Sequence, residues 1–421
     1  MILMKNWRNF GLYATGRLVS LIGTGIQDLA VPLFILDLTG SGTTMGTFMI
    51  ITMAPRLILY PLAGVVGDRI NRKWIMVSMD FGRGAVILFL AHLAARNIVT
   101  IPVLFAAQFV ISLMNALFGP ATLAMLPDLV EEEDLTRANS TIQGITSVSS
   151  IVGPALGGIL YGVGGIQIAF LLNGISFILS GISEFFIQYY QITKKIEKVH
   201  EVITDLKEGF SFIKTHKGVL TLLVFALVLN FLMAPFVFVL IPFVLRTVIG
   251  FSSEQYGLLQ TSFVTGILIG NIVIGTLLAK KKIKPMLCNG LLLQIGFTFV
   301  FVGLIFPQVL SRIGYASWTL FSLLFGTFMA IGIFNAFANT PLMVEIQKLT
   351  PAQFMARVFS VMETTTMGVV PIGFGIMGIL LDVVPAYLIA SVVVVADLVV
   401  ALLFVGKYSQ IVFKDFEGNN S

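Results

Sequence analysis

Arg17, Asp28, Arg56, Asp80, Arg83, Glu184, Glu363 and Asp397 all stand inside long apolar runs of this sequence. An ionised group at that depth costs about 2.5–3.5 kcal/mol to place in hydrocarbon, so each needs a partner, a wet cavity or a task. Arg17, Ser20, Thr24 and Asp28 recur every three or four residues and trace one helical face, expected to look into a cavity. Arg56 in the next run lies within a turn of the depth of Asp28, and an ion pair between them is expected. Asp80 and Arg83, at i and i+3, are expected to pair locally near the cytoplasmic end of their run. Glu184 is close enough to its run's end to reach water. A carboxylate that loses its hydration can load and unload a proton. Asp28 and Glu363 are the candidates for that task. Arg17, Arg56, Asp80 and Arg83 are further candidates for coupling or for lining a substrate cavity.

Two glycine patterns accompany these charges. Gly64-Val-Val-Gly67-Asp68-Arg69-Ile-Asn-Arg72-Lys73 sets small residues beside a mixed charge cluster. The glycines let helices approach closely, and Asp68 has three cations within reach. Gly153-Pro154-Ala-Leu-Gly157-Gly158 combines a helix-bending proline with a close-packing glycine face. No chemistry of hydrolysis is legible: H-E-x-x-H and G-x-S-x-G are absent from the sequence. One cysteine and three scattered histidines offer no metal-spaced set, and no cofactor is expected.

The elements that must hold these residues are set by composition. Of 421 residues, 57% are hydrophobic and 11% charged, against about 25% charged in soluble domains. Too little polar surface exists to cover a soluble fold of this size, and a bilayer removes that need. Crossing the hydrocarbon takes about 20 apolar residues. Such runs lie near 12–38, 44–66, 74–95, 98–126, 138–164, 166–190, 218–246, 256–279, 285–307, 317–346, 357–381 and 385–406. The sequence therefore predicts an all-α membrane protein of twelve transmembrane helices. Its long polar interruption, 191–217, reads as a partly helical cytoplasmic linker between a six-helix bundle, 1–190, and a second one with a short tail, 218–421.

Basic residues fix the orientation. With both termini in the cytoplasm, Arg96, Arg246 and Arg312 fall in the opposite loops and Arg17, Arg56 and Arg83 inside spans, while the remaining Lys and Arg of the 26 face the cytoplasm. The net charge of +5 is thus a topology signal, and no nucleic-acid partner is expected.

The halves repeat. Pro32 corresponds to Pro242, Gly46 to Gly257, Gly64 to Gly275, Pro120 to Pro341, Arg137 and Ser140 to Arg357 and Ser360, and Pro154 to Pro371, in unbroken order at offsets of 210 to 221. An even number of spans per copy gives both copies the same orientation. In the second copy Ala279 stands where the first has Asp68.

The Gly64–Lys73 loop resembles the G-x-x-x-D-R-x-x-R-K signature of the major facilitator superfamily. Gly153–Gly158 resembles the antiporter motif of its drug and proton exchangers. Phe118-Gly-Pro120 through Pro127-Asp128, Leu135-Thr-Arg137-Ala138-Asn139-Ser140 and the opening segment with Arg17, Ser20 and Gly23 are similar to the exporter branch that contains macrolide efflux pumps and the enterobactin exporter. The resemblance covers nearly the whole first half and the span ten to eleven region of the second. It implies two parallel six-helix repeats that rock around a substrate held between them. It also implies a conformational latch at Gly64, Gly67, Asp68, Arg69, Arg72 and Lys73, weaker or absent in the second copy. Span four lacks the arginine of the twelve- and fourteen-span drug antiporters, so their proton relay does not carry over. The resemblance also implies that span twelve, which carries Asp397, is a peripheral support.

The expectation is a secondary active transporter and not an enzyme: a multi-pass monomer of the cell membrane that exports amphipathic or hydrophobic small molecules against protons. The alternatives are a siderophore or lysolipid exporter or, in a different class, a membrane sensor or intramembrane enzyme.

Overall fold

A computed structural model describes residues 6–190, 199–351, 354–409 and 412, with the side chains of 60–69, 199–206 and 356 left out. The described chain is helical. The long helices are apolar around most of their circumference, which suits burial on one side and lipid on the other. In order they are α1 (Trp7–Thr39), α2 (Gly42–Arg69), α3 (Arg72–Ala95), α4 (Ile101–Leu129) and α5 (Leu135–Phe185). After these come α6 (Val199–Thr215) and α7 (Lys217–Pro235), which runs on through two π-helical stretches to Val248. The rest are α8 (Ser253–Thr276), α9 (Ile283–Leu304), the short α10 (Pro307–Ile313), α11 (Trp318–Leu349), α12 (Met355–Gly368), α13 (Val370–Val383) and α14 (Ala386–Leu403).

Eleven stretches among the described residues are long and apolar enough to cross a membrane. The sequence predicts twelve, and the difference lies at one residue. α5, 51 residues long, is two helices joined at a kink, where Gly165 has φ 61 and ψ −163. That left-handed conformation suits a residue without a Cβ. Counted on either side of Gly165, α5 supplies spans five and six.

Two compact units result. One holds residues up to Leu38 together with Ile51–His200, and the other holds Thr39–Ile50 with Glu201–Ser421. The first turns of α2 belong to the second unit. In the first unit α3 packs along α5 and α4, around a core of Phe10, Tyr13, Ile75, Met76, Phe118, Met125 and Leu129. In the second, α11 packs along α8 and α9. Gly266 and Gly332 let α8 and α11 approach so closely that a Cβ on either would strike the other's backbone.

The linker contains a helix, as expected: α6 covers 199–215, while 191–198 lie outside the described residues. Its buried Phe212 stacks between His216 and Phe354 at 3.8 and 4.8 Å. Glu208 accepts from Arg357 Nη1 at 2.7 Å, so α6 is tied to the start of α12.

Candidate functional site

The first unit gathers its buried charges into one cluster drawn from α1, α3, α4 and α5. Asp80 and Arg83 form the expected ion pair one turn apart on α3, and both are buried. Arg83 does more than pair. Its Nη1 donates to Asn115 Oδ1 of α4 at 2.6 Å. Its guanidinium lies 4.1 Å from the ring centre of Phe118 and 4.4 Å from that of Phe177. A flat, weakly hydrated cation suits a slot between two aromatic faces, where an ammonium would leave its hydration shell unreplaced.

Two further charges join this cluster, and both correct the expectation. Glu184 reaches no water: it is 0% exposed, and neither carboxylate oxygen meets a hydrogen-bond partner of normal geometry. It interacts electrostatically with Asp80, Arg83 and Arg17. Arg17 does not continue the polar face of α1 into a cavity. Its guanidinium sits over Phe118 at 5.5 Å, and its Nε is buried without a partner. The arrangement thus holds two acids and two guanidiniums, with one acid paired directly. Ser180, one turn before Glu184, stands beside both carboxylates. Ser180, Asn115, Phe118 and Phe177 were not singled out as site residues; the spacing of Ser180 and Glu184 at i and i+4 was the available signal.

Asp28 and Arg56 are not brought into direct contact. They feel each other's charge, but no ion pair or hydrogen bond joins them, and both are exposed along their helices. Matching depth on two spans fixes height and leaves rotation about each axis free, which is why the pairing fails. The residue before Asp28 makes the firm interhelical link instead: Gln27 accepts a short hydrogen bond from Asn173, and both are buried. In the second unit Glu363 is exposed on α12. Its backbone carbonyl accepts from the hydroxyl of Thr366 at 3.3 Å.

At the loop after α2, the side chains of Gly64, Gly67, Asp68 and Arg69 lie outside the described residues. Arg72 and Lys73 do not. Arg72 Nη1 binds Asp128 Oδ2 of α4 at 3.2 Å and the Ala124 carbonyl at 3.1 Å. The hydroxyl of Tyr189, beyond the end of α5, donates to the same Asp128 oxygen at 2.7 Å. Burial and that carboxylate push the phenol's pKa up, which keeps it a donor. Lys73 lies 5.3 and 5.4 Å from the ring centres of Trp74 and Phe185. Asn71 caps α3, its side chain accepting from Lys73 N at 3.0 Å. The repeat-related arginines diverge: Arg137 lies over Trp7 at 4.5 Å, whereas Arg357 takes Glu208.

The antiporter-type motif is a helix contact. A Cβ built on Gly153 would stand 2.8 Å from Gly25 Cα of α1, and one on Gly157 would stand 3.1 Å from Ile26 Cα. Gly158 is buried beside them, and Pro154 lies within the helix.

Long apolar helices in two units, with ionisable groups buried among them, define a polytopic membrane protein. The chain belongs to the Major Facilitator Superfamily, whose sequence profile matches residues 13–375. It is 25% identical over 306 residues to Macrolide efflux protein A of Streptococcus pyogenes, covering 72% of this chain and 75% of that one. It is 24% identical over 335 residues to Macrolide efflux protein A of Enterococcus faecalis, covering 78% of this chain and 100% of that one. The POT family transporter PepTSo superposes with a TM-score of 0.73 at 11% identity, covering 98% of this chain and 99% of the other. A bacterial homologue of the iron transporter ferroportin, inward-facing, gives 0.68 at 18%, covering 95% and 99%. These two likenesses are of fold.

Proposed function

We propose that this transporter exports amphipathic or hydrophobic small molecules from the cytoplasm, driven by the proton gradient. It works as a monomer in the cell membrane with both termini inside, and rocking of its halves alternates access to the substrate. The efflux relatives support the substrate class and direction, and the close glycine contact of α1 with α5 supports the antiporter assignment. The observation that carries proton coupling is Glu184: a buried carboxylate without a hydrogen bond, beside an acid already engaged by Arg83. Such a group can take a proton and give it back as the fields of Arg17 and Arg83 shift relative to it. Asp28 and Glu363, exposed on α1 and α12, are placed to meet substrate or to pass protons to and from water.

The test uses everted vesicles with an imposed pH gradient, loaded with a panel of macrolides, dyes, siderophores and lysolipids. The parent is expected to concentrate at least one amphipathic compound only while the gradient lasts. Glu184→Gln is expected to lose uphill accumulation and to keep substrate binding and downhill exchange. Gradient-driven accumulation by Glu184→Gln equal to the parent's, at equal protein level, would refute the role of Glu184. Accumulation that ignores the pH gradient in the parent would refute proton coupling itself.

A further inference from the structure

The second unit contains a cavity of about 200 Å³ that proton coupling at Glu184 does not use. It is lined from four helices, α7, α9, α11 and α14, and its polar residues are Asn230, Gln294, Asn335, Asn339 and Asp397. The sequence reading set Asp397 aside as belonging to a peripheral support. In the structure the residue is 4% exposed, and its Oδ1 is buried with no hydrogen-bond partner.

A lone carboxylate in such surroundings requires compensation, because an uncompensated charge at membrane depth is expensive. No lysine, arginine, histidine or second acid lines the cavity to supply it. What lines it is amide. Asn230 Nδ2 donates to the Ala226 carbonyl at 2.9 Å, and Asn339 Nδ2 to the Asn335 carbonyl at 3.1 Å. One N–H of each is thus held by its own helix, and the side-chain carbonyl oxygens are left to accept. A carboxylate set beside carboxamide oxygens repels anions. It is the donor set that hard cations take. The volume admits more than a naked ion: at ~30 Å³ per water there is room for about six waters, or for a small ammonium.

We infer that this cavity is a binding site for a monovalent cation, with Asp397 supplying the charge and the carboxamide oxygens of Asn230, Gln294, Asn335 and Asn339 the remaining contacts. The cation is an alkali ion or the ammonium group of an amine, two sources with the same recognition chemistry. The site goes beyond the proton-coupled reading and does not depend on it, since binding is measured without transport.

The test is thermal unfolding of the purified full-length protein. NaCl, KCl and ethylammonium chloride are each titrated against N-methyl-D-glucamine chloride at constant ionic strength and pH. A saturable rise in Tm with at least one of the small cations is expected. A response to Na+ or K+ alone assigns an alkali ion, and a response to ethylammonium alone assigns an amine; either supports the site. The response should vanish in Asp397→Asn, and its apparent Kd should weaken about fivefold in Asn335→Ala, the loss of roughly one neutral polar contact. If Asp397→Asn does not fold, Asn335→Ala carries the test alone, because its Tm in N-methyl-D-glucamine shows whether it is intact. Identical curves in all four salts overturn the inference, as does an undiminished response in a folded Asp397 or Asn335 variant. A Tm that moves only with pH also overturns it and leaves Asp397 as a proton site.

Discussion

Gly25 of α1 and Gly153 of α5 meet backbone to backbone: a Cβ on the first would lie 2.9 Å from the Cα of the second, and the reverse distance is 2.8 Å. Backbone cannot give way as a flexible side chain can, so a methyl here separates the helices or strains them. Overpacking of this kind costs about 1–3 kcal/mol. Gly153→Ala and Gly25→Ala are each expected to lower the Tm in detergent and to reduce export. Gly119→Ala, with nothing within 4 Å of its Cβ, is the control. An equal loss in the control would show that the contact has no special weight.

Asp80 and Arg83 are coupled, and Arg83 also serves Asn115 and two rings. Removing one partner strands the other in a buried site, at about 3–5 kcal/mol. Arg83→Met is expected to be severely destabilised, and Asp80→Asn in the same background to recover much of the loss. Urea or thermal unfolding of the parent, both single variants and the double variant yields the coupling. Additive losses would mean that the two side chains act separately.

The spans, the six-plus-six arrangement and the helical linker were legible because they are written in hydropathy and charge, which act locally. The boundary between spans five and six was legible too: the kink at Gly165 falls between the runs expected to end at 164 and begin at 166. The Asp80–Arg83 pair was legible because both partners share one helix. Contacts between helices were not. Asp28 and Arg56 have matching depth and no direct contact, while Glu184 and Arg17 converge on Asp80 from α5 and α1 through rotations that spacing along one chain cannot supply. The surroundings of Asp397 were not legible either, because an unpartnered buried oxygen leaves no mark in the sequence.

Asp128 joins three elements through one oxygen, taking Arg72 from α3 and Tyr189 from beyond α5. The pair with Arg72 is partly solvated, and exposed ion pairs contribute only about 0–1 kcal/mol. Asp128→Asn is therefore expected to leave Tm nearly unchanged. If the Gly64–Lys73 loop latches the transporter, Asp128→Asn slows cycling by releasing Arg72, and Asp68→Asn does the same by removing the latch acid. Export rate per folded molecule, set beside Tm, separates the two effects. Parental rates in both variants would end the latch hypothesis.

Asp382, near the end of α13, caps a helix 340 residues away. Its carboxylate accepts from Gly42 N at 2.6 Å, from Thr43 N at 3.1 Å and from Ser41 Oγ at 2.9 Å, at the first turn of α2. The first amides of a helix have no partners within it, and a negative charge there also meets the positive end of the helix dipole. Ser41 adds a local cap, its Oγ accepting from Thr44 N at 3.2 Å, so α2 keeps its start without Asp382 and what is lost is the tie to α13. Close packing reinforces that tie, since a Cβ on Gly378 would strike the Gly42 carbonyl at 2.6 Å. Asp382→Ala is therefore expected to fold and insert normally while the start of α2 separates from α13 more often. In the proposed orientation, with both termini inside, this end of α2 faces outward. A cysteine replacing Thr44, in a background with Cys288→Ser, is then expected to react several-fold faster with an impermeant maleimide added to intact cells when Asp382 is alanine. Restoring the carboxylate as Asp382→Glu should slow the reaction again. Equal labelling rates with aspartate and alanine would show that the carboxylate does not hold the two helices together.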